Sequence, residues 1–277
     1  MEPTQSFSVE ERAQKKRFEE FYERSLTPVM RTIGNQVCGC DYGGNSWTTH
    51  AEADDVIERL KLRSGLRLLD LGAGSGWPGL YTAQKTECDV VLVDLPENGL
   101  NIALSRAVTD GIEDHVTASV ADASTLPFPD HCFDAISHSD LLCCLLRKRA
   151  VLETCRRVIR PDGRMVFTVI SVSPGLSATD RCRGIKNGPE FIECETDYTT
   201  LLAQTDWTIE ACEDVTGTFE ASYRRQIVAD EQNHDELCTL IGSANLTDRM
   251  QMWRSKLSAI SDGLLRREIF LAVPARV

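Results

Sequence analysis

The chain has 277 residues, of which 42% are hydrophobic and 26% are charged, and its formal net charge at pH 7 is −12. This length allows one sizeable core with an elaboration, but not a full second domain. The acidic excess argues against a nucleic acid as the substrate, because a phosphate backbone is bound by a basic face.

The chain contains eleven cysteines and five histidines. Neither a signal peptide nor a long apolar span that would cross a membrane is visible, so we expect a cytoplasmic protein with reduced thiols. No zinc-type spacing is present, and the histidines fall in unrelated segments, so we predict no metal site. The cysteines are interpreted as small buried hydrophobic residues. The alternative is a thiol site for a soft substrate such as an arsenical.

The first predicted element is a helix over residues 9–24. Phe18, Phe21 and Tyr22 share one of its faces at i, i+3 and i+4 spacing. Two interpretations stay open for this helix: it packs on the domain, or it covers a ligand site as a lid.

Residues 26–49 predict a loop, because glycines and isolated aromatic residues such as Tyr42 and Trp47 replace any helical or strand period. The loop either lies on the surface with Trp47 in the core, or covers a bound ligand. A helix capped by Thr49 follows and ends at Gly65.

An apolar run over residues 66–71 predicts a buried strand. It is followed at once by Gly72, Gly74 and Gly76, which permit a tight turn and a close approach by a ligand. Pro78 suits the first turn of a helix. Strand, glycine turn and helix together form a nucleotide site at the carboxyl end of a parallel strand.

Two cofactors are compatible with this turn. Gly74, Gly76 and Gly79 match the G-x-G-x-x-G pattern, and Asp94 follows where a ribose-binding acid belongs, as in NAD enzymes. Asp70, two residues before the first glycine, favours another cofactor, because a carboxylate there opposes a pyrophosphate. S-adenosylmethionine has no phosphate and carries an ammonium group that a carboxylate suits.

Beyond the turn, the chain resembles the class I S-adenosylmethionine-dependent methyltransferases. The resemblance covers residues 66–170 and rests on several motifs in the family's order. They correspond to the second strand, the adenine-facing turn, the fourth strand and the turn before the fifth strand, at residues 90–95, 120–128, 133–137 and 158–164.

The alternation of predicted elements indicates an α/β protein with a doubly wound sheet. The later predicted helices are at residues 77–85, 98–109, 146–158 and 197–204. The predicted strands are at residues 116–120, 134–137, 165–172 and 207–215, and a loop is predicted at residues 173–189. A helical stretch at residues 218–262 precedes the last strand, at 264–273.

The resemblance implies a Rossmann-like sheet of seven strands whose last strand is antiparallel. Residues 1–65 are predicted to form an N-terminal helical or lid segment, and residues 66–172 the cofactor-binding core. Residues 173–277 complete the sheet and carry a helical insertion, which resembles the small-molecule branch of ubiquinone and sarcosine type.

The resemblance also implies S-adenosylmethionine as the cofactor, with S-adenosylhomocysteine as the product. Asp94 is expected to bind the ribose hydroxyls and Asp122 to face the adenine amino group, although Asp122 can also simply cap its turn. The full set of predicted cofactor-binding residues is Asp70, Gly72, Ala73, Gly74, Gly76, Asp94, Leu95, Asp122, Ala123 and Ser137.

Methyl transfer depends mainly on aligning the acceptor with the sulfonium methyl group, so few catalytic residues are expected. The candidate is His138, just past the fourth strand, either as a general base or as a group that positions the substrate. The methylated atom, whether O, N, S or C, is left open.

The insertion within residues 173–262 is predicted to roof the active site and to supply most acceptor contacts. The leading hypothesis is a methyltransferase for a small molecule; the alternatives are an NAD-type oxidoreductase and a non-catalytic binding protein of the same fold. The oligomeric state is left open. The predicted acceptor-binding residues are Tyr22, Trp47, Phe219, Tyr223 and Arg224.

Overall fold

The computed structural model describes residues 7–42 and 46–276. Its centre is a seven-stranded sheet with the strand order β3-β2-β1-β4-β5-β7-β6. The strands are β1 (Arg67–Leu71), β2 (Asp89–Asp94), β3 (Val116–Val120), β4 (Phe133–Ser139), β5 (Ile159–Val172), β6 (Trp207–Asp214) and β7 (Leu265–Pro274). Strands β1 to β5 pair in parallel, whereas β7 is antiparallel to both β5 and β6. The predicted fold class is confirmed.

Helices precede the sheet, connect its strands and extend its last hairpin. They are α1 (Val9–Ser25), α2 (Pro28–Cys38), α3 (His50–Leu60), α4 (Gly79–Thr86), α5 (Glu97–Asp110), α6 (Lys148–Val158), α7 (Ala178–Asn187), α8 (Tyr198–Gln204), α9 (Thr216–Gln232), α10 (His234–Ile241) and α11 (Ser243–Ser261). No helix among the described residues is both long and apolar enough to span a bilayer.

The central strands are buried on both faces because helices cover both sides of the sheet. Side chains alternate between the two faces along each strand. Leu69 and Leu71 of β1 therefore join one apolar cluster, while Leu68 joins the opposite cluster with Leu92 of β2. This packing brings the carboxyl ends of β1, β2 and β4 to one edge.

The prediction of a loop over residues 26–49 is wrong in its first half, which forms α2. Pro28 occupies the first helical turn, where its missing N–H costs nothing, and Gly39 ends the helix at φ 79°. Met30, Ile33 and Val37 are buried at helical spacing, and α2 packs against α9. Of the glycines in this stretch, Gly43 and Gly44 lie outside the described residues.

The predicted loop over residues 173–189 likewise contains a helix, α7. Its N-cap is Ser177, whose side chain accepts a hydrogen bond from the amide of Asp180. Gly184 is there for close packing rather than for a turn, since a Cβ at this position would lie 3.2 Å from the carbonyl oxygen of Leu264.

The helical composition of residues 218–262 corresponds to three helices, α9, α10 and α11, between β6 and β7. Helix α9 packs against α2 and α11, while α1 packs against α5. The insertion therefore lies beside the second N-terminal helix, and the first N-terminal helix lies over the edge of the sheet that follows β2.

Candidate active site

The glycine turn after β1 adopts a backbone that side chains disfavour. Gly72, Gly74 and Gly76 have φ values of 68°, 52° and 103°, in the left-handed region that glycine enters without steric cost. A Cβ on Gly76 would lie 2.6 Å from Leu80, and one on Gly74 would lie 3.0 Å from the Tyr22 hydroxyl. The turn thus needs glycine for both its conformation and its close contacts.

Asp94, at the end of β2, is the best-anchored acid of the site. Its Oδ2 accepts from the amide of Gly74 at 2.8 Å, and its Oδ1 accepts from the amide of Leu95 at 2.7 Å. The Tyr22 hydroxyl donates to Oδ2 at 3.4 Å. Burial raises the pKa of Asp94 to about 6, although these hydrogen bonds favour the ionised form.

Asp70 lies inside the sheet edge, directly beneath the turn. Ser137 of β4 donates its hydroxyl to Asp70 Oδ1 at 2.8 Å, so two predicted residues meet here. Its Oδ2 is buried and has no partner of good hydrogen-bond geometry among the described residues, although the nearby amide of Gly79 acts to lower the Asp70 pKa. Burial, and then the nearby charge of Asp94, raise the pKa of Asp70 to about 7.

Helix α1 is fastened over these acids. Besides the Tyr22 contact with Asp94, the amide side chain of Asn98 donates to the carbonyl of Glu19 at 2.9 Å. Near the other end of the helix, Glu11 lies 3.5 Å from the guanidinium of Arg147. The contacts join one helix to several parts of the site.

Asp122 faces the same space, but both of its oxygens are engaged. Oδ1 accepts from the amide and the hydroxyl of Ser124, each at 2.8 Å, and Oδ2 accepts from Arg147 at 2.6 Å. The turn-capping role that the sequence leaves open is therefore present, and Asp122 also lines the cavity described next.

A cavity of about 270 Å³ lies between α1 and the carboxyl edge of the sheet. Its volume is slightly below the range of roughly 300–1,000 Å³ that is usual for small-molecule sites. Its lining comprises Phe7, Glu11, Arg12, Gln14, Lys15, Phe18, Tyr22, Ser46, Trp47, Gly72, Asp94, Leu95, Pro96, Asp122, Ser139, Asp140, Leu141, Cys144, Leu145, Arg147, Ile170 and Pro189.

The cavity brings together part of the predicted site. The predicted residues that line it are Tyr22, Trp47, Gly72, Asp94, Leu95 and Asp122. Among the remaining predicted cofactor residues, Asp70, Ala73, Gly74, Gly76 and Ser137 lie in the turn or beneath it, and Ala123 follows β3; none of them lines the cavity.

The structure does not bring His138 to the cavity. Its side chain is 1% exposed and stacks on Phe167 with ring centroids 4.7 Å apart. Neither ring nitrogen has a hydrogen-bond partner among the described residues, and burial lowers the pKa of His138 to about 3. A general-base role does not fit this arrangement, because the ring reaches neither solvent nor a proton-bearing group.

Trp47 forms a wall between the cavity and the insertion. Its ring stacks on Tyr223 at 4.2 Å and meets Phe219 edge-on at 5.7 Å. The neighbouring residue, Thr48, anchors the loop that carries Trp47. Its hydroxyl donates to the hydroxyl of Ser139 at 3.0 Å, and its carbonyl accepts from the indole N–H of Trp77 at 2.8 Å. Phe219 and Tyr223 thus support the wall from behind.

The expectation that residues 173–262 roof the cavity is not met. Of the described residues that line it, only Pro189 comes from that stretch, and the N-terminal segment supplies the cover. Arg224 lies elsewhere, with a side chain 61% exposed and paired with Glu220 at 2.5 Å. The physical reason is that Trp47 stands between α9 and the cavity, since its ring lines the cavity and packs on Phe219 and Tyr223.

Sequence reasoning missed a buried ion network at the cavity wall. Arg267 of β7 is 0% exposed, and its Nε lies 3.0 Å from both carboxylate oxygens of Asp140. Its Nη1 donates to Glu52 at 2.6 Å. One signal was available, since Arg267 alternates in sequence with Leu265 and Ile269, and an arginine on a buried strand face requires a partner.

Comparisons with known proteins agree with this geometry. A family model described as a methyltransferase domain matches residues 69–167. Phosphoethanolamine N-methyltransferase of Triticum aestivum is 28% identical over 254 residues, which cover 90% of this chain and 50% of that protein. The 27-O-demethylrifamycin SV methyltransferase of Amycolatopsis mediterranei is 31% identical over 166 residues, 58% of this chain and 61% of that protein.

The chain spans 43% to 50% of the length of the phosphoethanolamine methyltransferases that it matches. A solved structure of Haemonchus contortus phosphoethanolamine N-methyltransferase 2, in complex with phosphomonomethylethanolamine and S-adenosylhomocysteine, superimposes with a TM-score of 0.76. The identity is 21%, and the match covers 94% of this chain and 60% of that one, which establishes a shared fold. The chain therefore contains a methyltransferase domain at residues 69–167, and its glycine turn and sheet order are those expected of the class I S-adenosylmethionine-dependent methyltransferases.

Proposed function

We propose that this chain transfers a methyl group from S-adenosylmethionine to a small molecule bound in the cavity beneath α1. One observation carries the proposal: a single cavity is lined both by Gly72, Asp94 and Leu95 and by a separate wall around Trp47 and Asp140. The first group suits the cofactor, and the second offers room for an acceptor next to it.

The residues of the turn fit the cofactor. Asp94 presents carboxylate oxygens suited to ribose hydroxyls, and Asp70 adds a buried oxygen without a protein partner among the described residues. Two acids close to the turn favour a ligand that carries positive charge. The residues that would hold the cofactor are Asp70, Gly72, Ala73, Gly74, Gly76, Asp94, Leu95, Asp122, Ala123 and Ser137.

S-adenosylmethionine supplies an activated methyl group on a sulfonium, so the protein's share of the chemistry is alignment and the exclusion of water. Helix α1 closes the cavity through Tyr22 and Glu11. Because the volume of about 270 Å³ is small for a cofactor and an acceptor together, α1 must move outward when both bind.

The two alternative functions have less support. An NAD-type oxidoreductase would place a pyrophosphate beside Asp70, where like charges repel. A non-catalytic binding protein would keep the same cofactor contacts. Only a measurement of methyl transfer therefore distinguishes it from an enzyme.

The net charge of the chain and the names of its relatives indicate which class of acceptor it binds. The net charge of −12 supports a small molecule rather than a nucleic acid. The relatives' names offer two acceptors, phosphoethanolamine and 27-O-demethylrifamycin SV. All eleven cysteines are free, which supports a reducing compartment such as the cytoplasm.

Cofactor binding is tested by calorimetry with S-adenosylmethionine, S-adenosylhomocysteine and NAD. The Asp94→Ala variant should weaken S-adenosylhomocysteine binding by about ten- to a hundredfold, since it removes charge-assisted hydrogen bonds. The matched control is Asp89→Ala at the opposite end of β2, where the side chain is 64% exposed. Preferential binding of NAD would overturn the proposal.

Turnover is tested by incubating the protein and the cofactor with a metabolite extract and identifying methylated products by mass spectrometry. A product that depends on wild-type protein supports an enzyme. Cofactor binding without any methylated product supports the non-catalytic alternative.

A further inference from the structure

The basic side chains that line the cavity already have oxygen partners within the described residues. Arg12 donates to the carbonyl of Phe7, and Lys15 lies 3.3 Å from Glu19 on the same helix. Arg147 lies 2.6 Å from Asp122 and also contacts Glu11. A phosphate or carboxylate in this space would have to compete with these oxygens for each basic group.

The basic groups behind the cavity wall are engaged as well. Lys148 donates to the carbonyls of Leu145 and Phe191 at 2.7 and 2.6 Å. Lys256 donates to the carbonyl of Asn187 at 2.8 Å. An anionic acceptor would have to displace these carbonyl oxygens to reach either ammonium group.

Apolar side chains form most of the wall on both sides of the cavity. They come from α1 and the residues before it, from the loop before α3, from the loop after β4 and from β5. They are Phe7, Phe18, Trp47, Leu141, Leu145 and Ile170. Such a wall is suited to an apolar ligand surface, because removing apolar groups from water is favourable.

Asp140 is the fixed polar group in this wall. Its backbone is left-handed, with φ 53°, and its amide donates to the carbonyl of Thr168 at 3.0 Å. Arg267 holds both carboxylate oxygens from behind, and the Asp140 side chain remains 12% exposed. A carboxylate oxygen held in this way can still accept a hydrogen bond through a remaining lone pair.

We propose that the acceptor is an uncharged, largely apolar molecule whose reacting group is a hydroxyl, oriented by a hydrogen bond to Asp140. Arg267 is the positioning residue for that carboxylate. The inference rests on the proposed methyltransferase function and specifies its substrate class. An ammonium acceptor is disfavoured, because the charge of Asp140 is already compensated by Arg267.

The methyl group moves from the sulfonium sulfur to the hydroxyl oxygen in one displacement. The methyl–sulfur bond breaks with its electron pair staying on sulfur, while a lone pair of the hydroxyl oxygen forms the new carbon–oxygen bond. The hydroxyl proton leaves along its hydrogen bond to Asp140 and passes to solvent when the product is released. The products are a methyl ether and S-adenosylhomocysteine.

The substrate class is tested with S-adenosylmethionine that carries a deuterated methyl group. The protein is incubated separately with anionic, cationic and neutral organic-soluble fractions of a metabolite extract, and with phosphoethanolamine alone. We expect the label only in a neutral product, as a methyl ether. Label in phosphoethanolamine or in a charged fraction overturns the inference and leaves the proposed function intact, whereas no label anywhere overturns both.

The role of Asp140 is tested with the labelled neutral acceptor. Asp140→Asn keeps a residue that tolerates the left-handed backbone. It should raise KM about tenfold and also lower kcat, because an amide cannot take the hydroxyl proton, while the affinity for S-adenosylhomocysteine stays within about twofold. Arg267→Lys should raise KM by a smaller factor. An unchanged KM in Asp140→Asn overturns the role of Asp140.

The matched control for Arg267 is Arg266→Lys. Arg266 is the preceding residue of β7, but it pairs with Glu268 at 3.1 Å and does not line the cavity. We expect wild-type KM and kcat in this control. If it raises KM as much as Arg267→Lys does, the effect of Arg267 is general to the strand and the positioning role is overturned.

Discussion

The N-terminal segment and the helical insertion are both rich in aromatic residues, but only the first forms the cavity. Phe18, Tyr22 and Trp47 line it, whereas no residue of α9, α10 or α11 belongs to its described lining. Phe219 and Tyr223 are buried behind Trp47. Aromatic content therefore does not distinguish a ligand-binding wall from a supporting core, and position relative to the sheet edge does.

The largest expected effect is a loss of folding stability, without a loss of ligand binding, when a buried ion pair of the insertion is broken. Asp230 of α9 is 0% exposed and is held by Arg249 at 2.6 Å and by the indole of Trp253 at 3.0 Å. Arg249→Met should lower the free energy of unfolding by about 3 kcal/mol, because the buried carboxylate loses its counter-ion. Denaturant unfolding measures this loss.

The control for that variant is ligand affinity. S-adenosylhomocysteine should bind folded Arg249→Met within about twofold of wild type, or ~0.4 kcal/mol, since the insertion only supports the wall. A tenfold weaker affinity would break the comparison by giving the insertion a direct part in the site.

The next effect is on pH dependence and arises beneath α1. Burial raises the pKa of Asp94 to about 6 and that of Asp70 to about 7, so the folded protein binds more protons than the unfolded chain between pH 4 and 7. Stability of the ligand-free protein should therefore fall as pH rises through this window, as chemical denaturation at several pH values measures.

Ligand binding should show the opposite trend. Ribose hydroxyls favour the ionised carboxylate, so S-adenosylhomocysteine affinity should rise at least about tenfold from pH 5 to pH 7.5. Calorimetry measures this, and Asp94→Asn serves as the control with a weaker pH dependence. A flat profile in the wild type would show that Asp94 and Asp70 are ionised before the ligand arrives.

A smaller effect concerns the lid. The Tyr22 hydroxyl contacts the Asp94 oxygen that would serve a ribose hydroxyl. Tyr22→Phe removes this competing hydrogen bond, so S-adenosylhomocysteine should bind about two- to fivefold more tightly, or ~0.5–1 kcal/mol. The control is Tyr81→Phe, whose hydroxyl contacts Asp54 away from the cavity. Weaker binding in Tyr22→Phe would instead make the hydroxyl a direct ligand contact.

The smallest effect is expected at Arg224. This side chain is exposed and contacts Glu220 and Ser261 within the insertion. Arg224→Ala should leave both acceptor KM and S-adenosylhomocysteine affinity within about twofold. Steady-state kinetics measure both, and a large rise in KM would restore the sequence-based expectation that the insertion binds the acceptor.

Much of the cofactor half of the site follows from local sequence alone. The glycine turn, Asp70 and Asp94 belong to one continuous strand–turn–helix–strand unit, in which strand ends and spacing determine where side chains meet. The helices α2 and α7 were missed because Gly34 and Gly184 were interpreted as loop residues. Both glycines lie inside helices, and Gly184 permits close packing.

The sequence by itself determined the α/β class, the seven-stranded sheet with an antiparallel last strand that the resemblance implies, and the acids at the carboxyl edge of the sheet. Only the tertiary structure decided which distant segments meet there. It buries His138 against Phe167 and joins Arg267 to Asp140, 127 residues apart. The physical reason is that local patterns encode which face of an element is buried, whereas the partner of that face depends on the packing of the whole chain.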